Sequence, residues 1–347
     1  MRLAHVRERH APTGSSWRLV AALDAADAPK RWLDLEVARR RALSSHADLA
    51  HNEPVFRRPI TTLDNHLAAG LRIEALRVVL EQFETRGEPN EDEAVLDDSG
   101  LAFGPPVLRP SSLRDFYAFE RHVGTMWARR GGEIPEAWFR LPIFYFSNVS
   151  EIRGPGDAIW APRGSSELDY ELEVAALVDT PARDLATDGA EAVIGGYLIV
   201  NDWSARDLQR DESTVRLGPA KGKDFATSIG PWIVTPDELA GAWRDGALAP
   251  ELEMTATVVG ADGRSVEVSR GSWSSAHYSF AQMLARASAD VHIRPGELLG
   301  SGTVGTGCLL EVKDATLGRW LEPGDLVTLA IEGIGELSTP VVVRPTG

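Results

Sequence analysis

The chain has 347 residues and is 43% hydrophobic, enough apolar material for one large domain with a smaller one beside it. Its formal net charge of −15 argues against non-specific binding to nucleic acid or to an anionic membrane, because both need a basic surface. An anionic substrate remains compatible with this charge, provided that locally placed Arg and Lys side chains meet it.

The cysteine content and the lengths of the apolar runs bear on the cellular compartment of the protein. The single cysteine, Cys308, cannot form an internal disulfide. The N-terminal segment has no apolar signal core, and the longest clear apolar run, 192–200, is far shorter than the roughly 20 residues of a membrane helix. We therefore expect a cytoplasmic protein without a membrane span.

The N-terminal part shows weak patterns. It contains a short apolar stretch from Trp17 to Leu23 and an amphipathic pattern from Asn65 to Phe83. Residues 87–100 are rich in Glu, Asp, Pro and Asn, a composition typical of a connector. We place a boundary near residue 104, which gives a small N-terminal domain (1–104) and a larger domain (105–347).

The next segment, 111–130, predicts a helix with Ser112 as its N-cap and Asp115 in the first turn, where a carboxylate meets free N–H groups. On such a helix Asp115 and His122 are close to two turns apart and share nearly one face. The pair is a candidate site. The alternative is a plain first-turn carboxylate and a buried core histidine.

Beyond residue 140, short apolar runs alternate with Gly and Pro clusters, which predicts a mainly β (α+β) domain with few helices, one of them around Ser279 to Ala287. The predicted strands are Leu141–Phe146, Ala158–Trp160, Leu168–Val178, Val193–Asn201, Pro231–Thr235, Leu252–Val259, Leu298–Gly300, Leu326–Ile331 and Gly335–Val343.

Two acidic residues in one predicted strand suggest a metal site. Glu171 and Glu173 are two apart, so they share a face, while Tyr170, Leu172 and Val174 point the other way. Like charges this close repel, and a divalent cation held by oxygen ligands is the simplest way to offset the repulsion. A solvated strand face is the alternative.

The end of the strand 193–200 delivers further polar groups. Asp202 can supply another oxygen ligand, and Arg206 and Gln209, three apart on a following turn, can donate to one anionic oxygen. The alternative is a helix N-terminus at Asp202 with a local Asp–Arg pair.

Two Gly-rich loops follow along the chain. The first, 217–227, carries Lys221 and Lys223, which can answer a substrate charge or be ordinary solvated lysines. The second, 299–307, lets backbone N–H groups approach a ligand, but it lacks the Lys and the spacing of a P-loop. Glu311 follows it in an apolar setting.

The spacing of Cys and His excludes a zinc site, and the chain has no Gly-x-Ser-x-Gly nucleophile motif. The remaining ligands are all oxygen, which favours Mg²⁺, Mn²⁺ or Ca²⁺. These ligands are Asp115, Glu171, Glu173 and Asp202.

Taken together, the motifs resemble those of the fumarylacetoacetate hydrolase family over about residues 111 to 335, in family order. They are Asp115-Phe-Tyr117 with His122, Leu168-Asp-Tyr-Glu171-Leu-Glu173, Asn201-Asp-Trp-Ser-Ala-Arg-Asp-Leu-Gln209, Gly218-Pro with Gly222-Lys223, Ser301-Gly-Thr303, and Glu311. The resemblance implies a fumarylacetoacetase-like mixed β-sandwich and β-roll C-terminal domain. It also implies a small N-terminal domain, for which an SH3-like barrel is one form.

The resemblance also implies a role for each matching residue. The metal ligands are Asp115, Glu171, Glu173 and Asp202, with Lys223 and Thr227 near the metal. His122, oriented by Glu311, is the base that activates water, and Arg206, Gln209 and Lys223 assist catalysis. The substrate contacts are Tyr117, Tyr145, Arg206, Gln209, Gly302 and Thr303.

From these roles we expect a hydrolase that cleaves a carbon–carbon bond of fumarylacetoacetate or a related acylpyruvate in aromatic-compound catabolism. The ion would be Mg²⁺, Mn²⁺ or Ca²⁺, acting as a Lewis acid on the enolate. A decarboxylase, hydratase or isomerase of 2-keto acids on the same metal is a second hypothesis, and a non-catalytic metal-dependent binding protein is a third. Members of the family are commonly homodimers.

Three departures from the fumarylacetoacetases concern the substrate. After Tyr145 this chain has Phe146-Ser147-Asn148 where they carry His-Gly-Arg. The loop after His122 is shorter, and one extra residue lies between Asp202 and Lys223. The sequence therefore leaves open which groups would bind the far carboxylate of fumarylacetoacetate.

Overall fold

The computed structural model describes residues 1–12, 14–24, 28–85 and 93–346, so part of the predicted connector 87–100 lies outside the described residues. Within those ranges the strands, in chain order, are β1 (Arg2–Glu8), β2 (Arg18–Ala22), β3 (Arg31–Asp34), β4 (Val95–Asp97), β5 (Leu101–Gly104), β6 (Ser112–Phe116), β7 (Phe144–Ser147), β8 (Ile152–Arg153), β9 (Leu168–Asp169), β10 (Leu172–Val178), β11 (Ala182–Arg183), β12 (Ile194–Asp202), β13 (Ser204–Ala205), β14 (Thr227–Val234), β15 (Glu253–Val259), β16 (Ser265–Ser272), β17 (His292–Ile293), β18 (Glu297–Gly300), β19 (Leu326–Ile331) and β20 (Gly335–Pro340).

The α-helices of the described ranges are fewer than the strands. They are α1 (Leu35–Ser45), α2 (Leu49–Asn52), α3 (Leu63–Ala68), α4 (Arg77–Thr85), α5 (Glu120–Arg129), α6 (Arg206–Ser213), α7 (Phe280–Ser288) and α8 (Leu309–Val312). Helix α7 is the helix predicted around Ser279 to Ala287. Its N-cap Ser279 and Gln282 form a reciprocal capping box, which fixes where the helix begins.

One large sheet organises the molecule. Within the described residues it has 12 strands, in the order β4-β3-β2-β1-β14-β12-β10-β18-β6-β7, with β5 beside β1 and β8 beside β14. A second sheet has four strands in the order β16-β15-β19-β20. Apart from the strand ends, the prediction beyond residue 140 was correct for β7, β9, β10, β12, β14, β15, β18, β19 and β20. It missed β16 and the two-residue strands β8, β11, β13 and β17, and the predicted strand Ala158–Trp160 contains only an isolated bridge at Ile159.

The two faces of the large sheet bury two separate apolar cores, because its central strands are apolar on both sides. One face packs against the four-stranded sheet, which gives a β-sandwich, and its core includes Val174 and Ile199. The other face packs against the helices of the N-terminal part, and its core includes Ala175, Leu198 and Val200. Neighbouring residues of a strand therefore alternate between the two cores.

The helix-covered face leads directly to the candidate site. Going along β10 and β12, the apolar residues of this face give way near one end of the sheet to Glu173 and Asp202. In β6 the core residue Leu113 is followed two residues later by Asp115. The alternation that builds the second core thus turns three carboxylates toward the same side.

The N-terminal part joins the large sheet directly. Strand β1 pairs antiparallel with β14, with Leu3 opposite Ile233. Residues before and after position 104 therefore share one sheet. The boundary near residue 104 and the SH3-like form of the N-terminal domain stay predictions.

The predicted helix 111–130 was wrong in its first half. Ser112–Phe116 is strand β6, and helix α5 begins only at Glu120. The reason is long-range pairing: β6 lies between β18, with Asp115 opposite Gly300, and β7, with Asp115 opposite Tyr145. These partners are distant in sequence, so local propensity does not indicate them.

No helix among the described residues is long and apolar enough to cross a membrane.

Leu198→Ala tests the second core. Leu198 is fully buried on the central strand β12, so the substitution should lower the free energy of unfolding by about 3 kcal/mol through lost burial and a residual cavity. Chemical denaturation measures this. Leu217→Ala is the matched control, since Leu217 is 92% exposed and its loss should change stability by less than about 0.5 kcal/mol. Equal losses in the two variants would contradict the assignment of the core.

Candidate active site

A cavity of about 250 Å³ opens at the carboxylate end of the large sheet. Its wall is formed by side chains from several strands, three helices and two loops. The lining residues are Asp115, Phe116, Tyr117, His122, Met126, Arg130, Ile143, Phe144, Tyr145, Glu171, Glu173, Arg206, Gln209, Pro219, Lys223, Gly302, Thr303 and Leu310. The predicted site residues Asp202, Thr227 and Glu311 lie behind this wall.

Three of the predicted metal ligands form one compact group. Asp115, Glu173 and Asp202 each place a carboxylate oxygen within 4.8 Å of the others, and all three are buried. They come from β6, β10 and β12, strands far apart in sequence. The structure thus brings together residues that the sequence could only propose separately.

Burial and mutual repulsion dominate the ionisation of this group. Burial, reinforced by the nearby Asp202 carboxylate, raises the pKa of Asp115 to about 8. Burial together with Asp115 raises the pKa of Glu173 well above its ordinary value. The metal-free group therefore holds protons near neutral pH.

Glu171 has a different environment from Glu173, although the two side chains share a face as predicted. The Lys223 ammonium contacts Glu171, and Arg206 Nη2 lies 2.8 Å from Glu171 Oε1. Burial raises the pKa of Glu171, but Lys223 and Arg206 outweigh it and lower that pKa to about 2. Glu171 is an ionised partner of two cations, and its role as a metal ligand stays a prediction.

Neighbouring donors hold the carboxylates in place. Lys223 Nζ donates to Asp202 Oδ2 at 2.5 Å, and the Tyr145 hydroxyl donates to the same oxygen at 2.6 Å. The Thr303 hydroxyl donates to Glu173 Oε1 at 3.3 Å, and the Gly302 N–H donates to Asp115 Oδ1 at 3.2 Å. Thr227, predicted near the metal, pairs with Asp202 across β12 and β14.

The residues present fit a divalent cation bound through oxygen. Two buried oxygens of the group, Glu173 Oε2 and Asp202 Oδ1, have no hydrogen-bond partner among the described residues. Gly300 provides the space beneath them, since a Cβ there would lie 2.6 Å from Asp115 Oδ1 and 3.3 Å from Glu173 Oε2. Unpaired carboxylate oxygens in a small cleared space are what a hard cation needs.

His122 lines the same cavity, and Glu311 lies against it behind the wall. His122 lies on α5 and Glu311 on α8, and His122 Nδ1 is 3.3 Å from Glu311 Oε2, although the angle between them is not that of a hydrogen bond. Both side chains are about 95% buried. Since Nδ1 faces Glu311, Nε2 is the nitrogen left for the cavity. The Tyr117 ring packs edge-on against the imidazole, with centroids 5.5 Å apart.

Arg206 and Gln209 lie together at the start of α6, as predicted. Arg206 Nη1 donates to Gln209 Oε1 at 2.9 Å, and Arg206 Nε donates to Asp169 Oδ2 at 2.7 Å. Arg206 is thus held between two carboxylates, Asp169 and Glu171, and its pKa is raised well above its ordinary value by them, against the effect of burial.

Several cavity residues were missed by the sequence analysis. Apolar side chains form the wall away from the carboxylates, namely Met126, Ile143, Phe144, Pro219 and Leu310. Arg130, at the end of α5, lines the cavity and has no side-chain ion pair among the described residues. Asp169 lies in the motif Leu168–Glu173, but the sequence did not indicate a role for it. The helical spacing of His122, Met126 and Arg130 could have indicated two of these residues.

Known proteins match both the sequence and the fold. The family model for the fumarylacetoacetate (FAA) hydrolase C-terminal domain matches residues 111–342. Fumarylacetoacetase of Arabidopsis thaliana is 34% identical over 273 residues, 62% of this chain and 63% of the relative. The match thus spans less than two thirds of that relative's length.

Solved structures share the fold over nearly the whole chain. A fumarylacetoacetate hydrolase from psychrophilic Exiguobacterium antarcticum gives a TM-score of 0.66 at 21% identity, over 99% of this chain and 100% of that chain. A probable 2-hydroxyhepta-2,4-diene-1,7-dioate isomerase from Mycobacterium abscessus gives 0.61 at 20% identity, over 99% and 100%. The predicted fold class is confirmed.

Gly300→Ala tests the space beneath the carboxylates. The new methyl group would press on Asp115 and Glu173, so we expect Mn²⁺ affinity to fall about tenfold or more. Titration calorimetry measures it. Gly100→Ala is the control, because an added Cβ there meets nothing within 4 Å. A folded Gly300→Ala protein with wild-type Mn²⁺ affinity would show that this space is not part of a metal site.

The pH dependence of metal binding follows from the raised pKa values. Asp115 has a pKa of about 8 and is protonated below that pH in the metal-free chain, and burial also raises the pKa of Glu173, so a cation must displace protons when it binds. Apparent Mn²⁺ affinity should therefore rise between about pH 6 and about pH 8, with proton release on binding. Calorimetry in two buffers of different ionisation enthalpy detects the released protons. A pH-independent affinity would contradict the raised pKa values.

Proposed function

The chain belongs to the fumarylacetoacetate hydrolase family, and we propose that it is a divalent-metal-dependent hydrolase that cleaves a carbon–carbon bond of a 1,3-diketo acid. The observation that carries this proposal is His122, which lines the cavity together with Asp115 and Glu173, with Glu311 against His122 and Asp202 against the two carboxylates behind the wall. A base at this place can activate water for attack on a carbonyl. A cation held by the neighbouring acidic group would stabilise the negative charge that develops beside that carbonyl.

In the proposed mechanism His122 acts first. Its Nε2 takes a proton from water, while Glu311 orients the ring through Nδ1–H and stabilises the imidazolium. The resulting hydroxide adds to the acyl carbonyl carbon. The carbon–carbon bond then breaks, and His122 returns the proton to the carbon that leaves as an enolate, giving a carboxylic acid and a ketone.

Cationic and amide donors stabilise the oxyanion. Lys223 has three N–H donors, of which Glu171 and Asp202 engage two, so one remains for substrate. Arg206 Nη2 has no fully formed hydrogen bond and can serve the same purpose, as can Gln209. A divalent cation held by Asp115, Glu171, Glu173 and Asp202 would supply Lewis-acid stabilisation of the enolate charge.

The groups available to bind the far carboxylate of fumarylacetoacetate bear on the choice of substrate. Of the residues in place of His-Gly-Arg, Phe146 is 64% exposed beneath Arg114, and Asn148 donates to the Asp224 carbonyl. Neither presents a charge to the cavity. Arg130 is the lining cation that is free of ion pairs among the described residues. We propose that Arg130 binds the far carboxylate of a dicarboxylic substrate, such as fumarylacetoacetate or a related acylpyruvate.

We also propose that the protein is a cytoplasmic homodimer that acts in aromatic-compound catabolism. Mg²⁺ and Mn²⁺ are the first ions to test.

The test measures turnover of a panel of acylpyruvates and fumarylacetoacetate with Mg²⁺ or Mn²⁺. His122→Ala should lower kcat by about 100-fold or more, because it removes the general base. His292→Ala is the control, since His292 is exposed on the short strand β17. If the wild type leaves every substrate intact, or His122→Ala matches it, the proposal is wrong.

Two further results would favour the other hypotheses. Release of CO₂ from oxaloacetate without hydrolysis of any diketo acid would favour a decarboxylase. Tight binding of oxalate without turnover of any keto acid would favour a binding protein.

A further inference from the structure

The fully buried Asp169 joins two parts of the candidate site. Its Oδ2 accepts from Arg206 Nε at 2.7 Å and from the backbone N–H of Leu310 at 2.9 Å. Its Oδ1 accepts from the backbone N–H of Leu309 at 2.7 Å. One carboxylate therefore fixes an arginine on one side and the start of a helix on the other.

Through Arg206, Asp169 influences the carboxylate of Glu171 and the predicted substrate contact Gln209. Arg206 lies 2.8 Å from Glu171 Oε1 and donates to Gln209. Without Asp169, Arg206 would lose its shortest hydrogen bond and would be free to turn further toward Glu171. The orientation of Gln209 would change with it.

The helix side leads to His122. Leu309 and Leu310 are the first residues of α8, and Glu311 is the third. The N-cap residue Cys308 makes no side-chain cap hydrogen bond, so Asp169 supplies the acceptors for the free N–H groups of this short helix. The position of the Glu311 carboxylate beside His122 Nδ1 depends on where this helix begins.

We propose that Asp169 is a positioning residue. It holds Glu311 against His122, and at the same time it keeps Arg206 in the cavity lining where substrate would bind. It touches neither substrate nor the reacting atoms. Its effect on turnover rests on the proposed function, whereas its effect on the His122 ring does not.

An asparagine at this position keeps the size of the aspartate side chain but changes its hydrogen-bonding groups. Its one acceptor oxygen can serve either the Leu309 N–H, or Arg206 Nε–H together with the Leu310 N–H. In each orientation the amide nitrogen meets the remaining donor or donors, N–H against N–H. Asp169→Asn therefore breaks the simultaneous hold on the arginine and the helix start, and removes the negative charge, with almost no change in volume.

The chain offers a matched control in Asp325. This aspartate is also buried, pairs with Arg319 at 2.7 Å and accepts the backbone N–H of Glu322 at 2.9 Å. It precedes β19, and neither it nor its partners line the cavity. Asp325→Asn should cost stability of a similar kind without reaching the site.

The first experiment reads the His122 tautomer by nitrogen NMR of labelled protein without metal or substrate. We expect a predominant Nδ1–H form in the wild type and in Asp325→Asn, and a mixture of tautomers in Asp169→Asn. A wild-type tautomer in folded Asp169→Asn would overturn the proposal. If Asp169→Asn does not fold, hydrogen exchange of the wild type decides: protected Leu309 and Leu310 amides support the proposal, and amides exchanging as fast as exposed ones overturn it.

The second experiment measures turnover. Asp169→Asn should lower kcat by about 100-fold, and the Asp169→Asn/Glu311→Gln double variant should lose less than the sum of the two single losses, because part of the effect of Asp169 passes through Glu311 and the rest through Arg206. Fully additive losses would contradict that route. If the wild type turns over no keto acid while the His122 tautomer still responds to Asp169→Asn, the proposed function fails and the positioning role stands.

Discussion

The excess of buried negative charge at one end of the large sheet is the constraint on which the site depends. Among the residues that the structure describes, five buried carboxylates, those of Asp115, Asp169, Glu171, Glu173 and Asp202, face two buried cations, Arg206 and Lys223. Ionising all five without a further positive charge would be very costly in a protein interior. The described residues divide the problem. Lys223 and Arg206 together overcome the effect of burial at Glu171 and lower its pKa, whereas burial still raises the pKa values of the other four carboxyl groups.

This division explains why two glutamates two residues apart behave so differently. Glu171 lies where Lys223 and Arg206 converge, and its pKa falls to about 2. Glu173 lies one step further into the sheet, beside Asp115, and its pKa rises. Glu171, just before β10, is therefore ionised, whereas Glu173 within β10 has a raised pKa. A metal centre built this way responds to proton concentration as well as to metal concentration.

Sequence reasoning reached the parts of the site that obey local rules. The alternation around Glu171 and Glu173 predicted that these two share a face and that Tyr170, Leu172 and Val174 point the other way, where they join the core between the two sheets. It failed at residues 111–130, where pairing of Asp115 with Gly300 and Tyr145 overrode a plausible helix start.

The apolar wall and Asp169 could not be predicted for a related reason. The wall is assembled from segments separated by many residues, and no local pattern marks them as neighbours. A buried aspartate that binds an arginine and two backbone N–H groups has no signature in a single sequence, because its partners are chosen by the fold. Family resemblance supplied the His122–Glu311 pair, which spacing alone could not have joined.

The pairing of β1 with β14 has a consequence for how the chain reaches its native state. Leu3 lies opposite Ile233, whereas β2 and β5, the other neighbours of β1, lie within the first 104 residues. Only the Arg2–Leu3 end of β1 therefore waits for a partner until more than two thirds of the chain has been synthesised. At ribosomal speeds of about 5–20 residues per second this takes on the order of tens of seconds. Gly300 of β18, which lies opposite Asp115, is made later still, so the carboxylate group can be completed only after the N-terminal strand has all its partners.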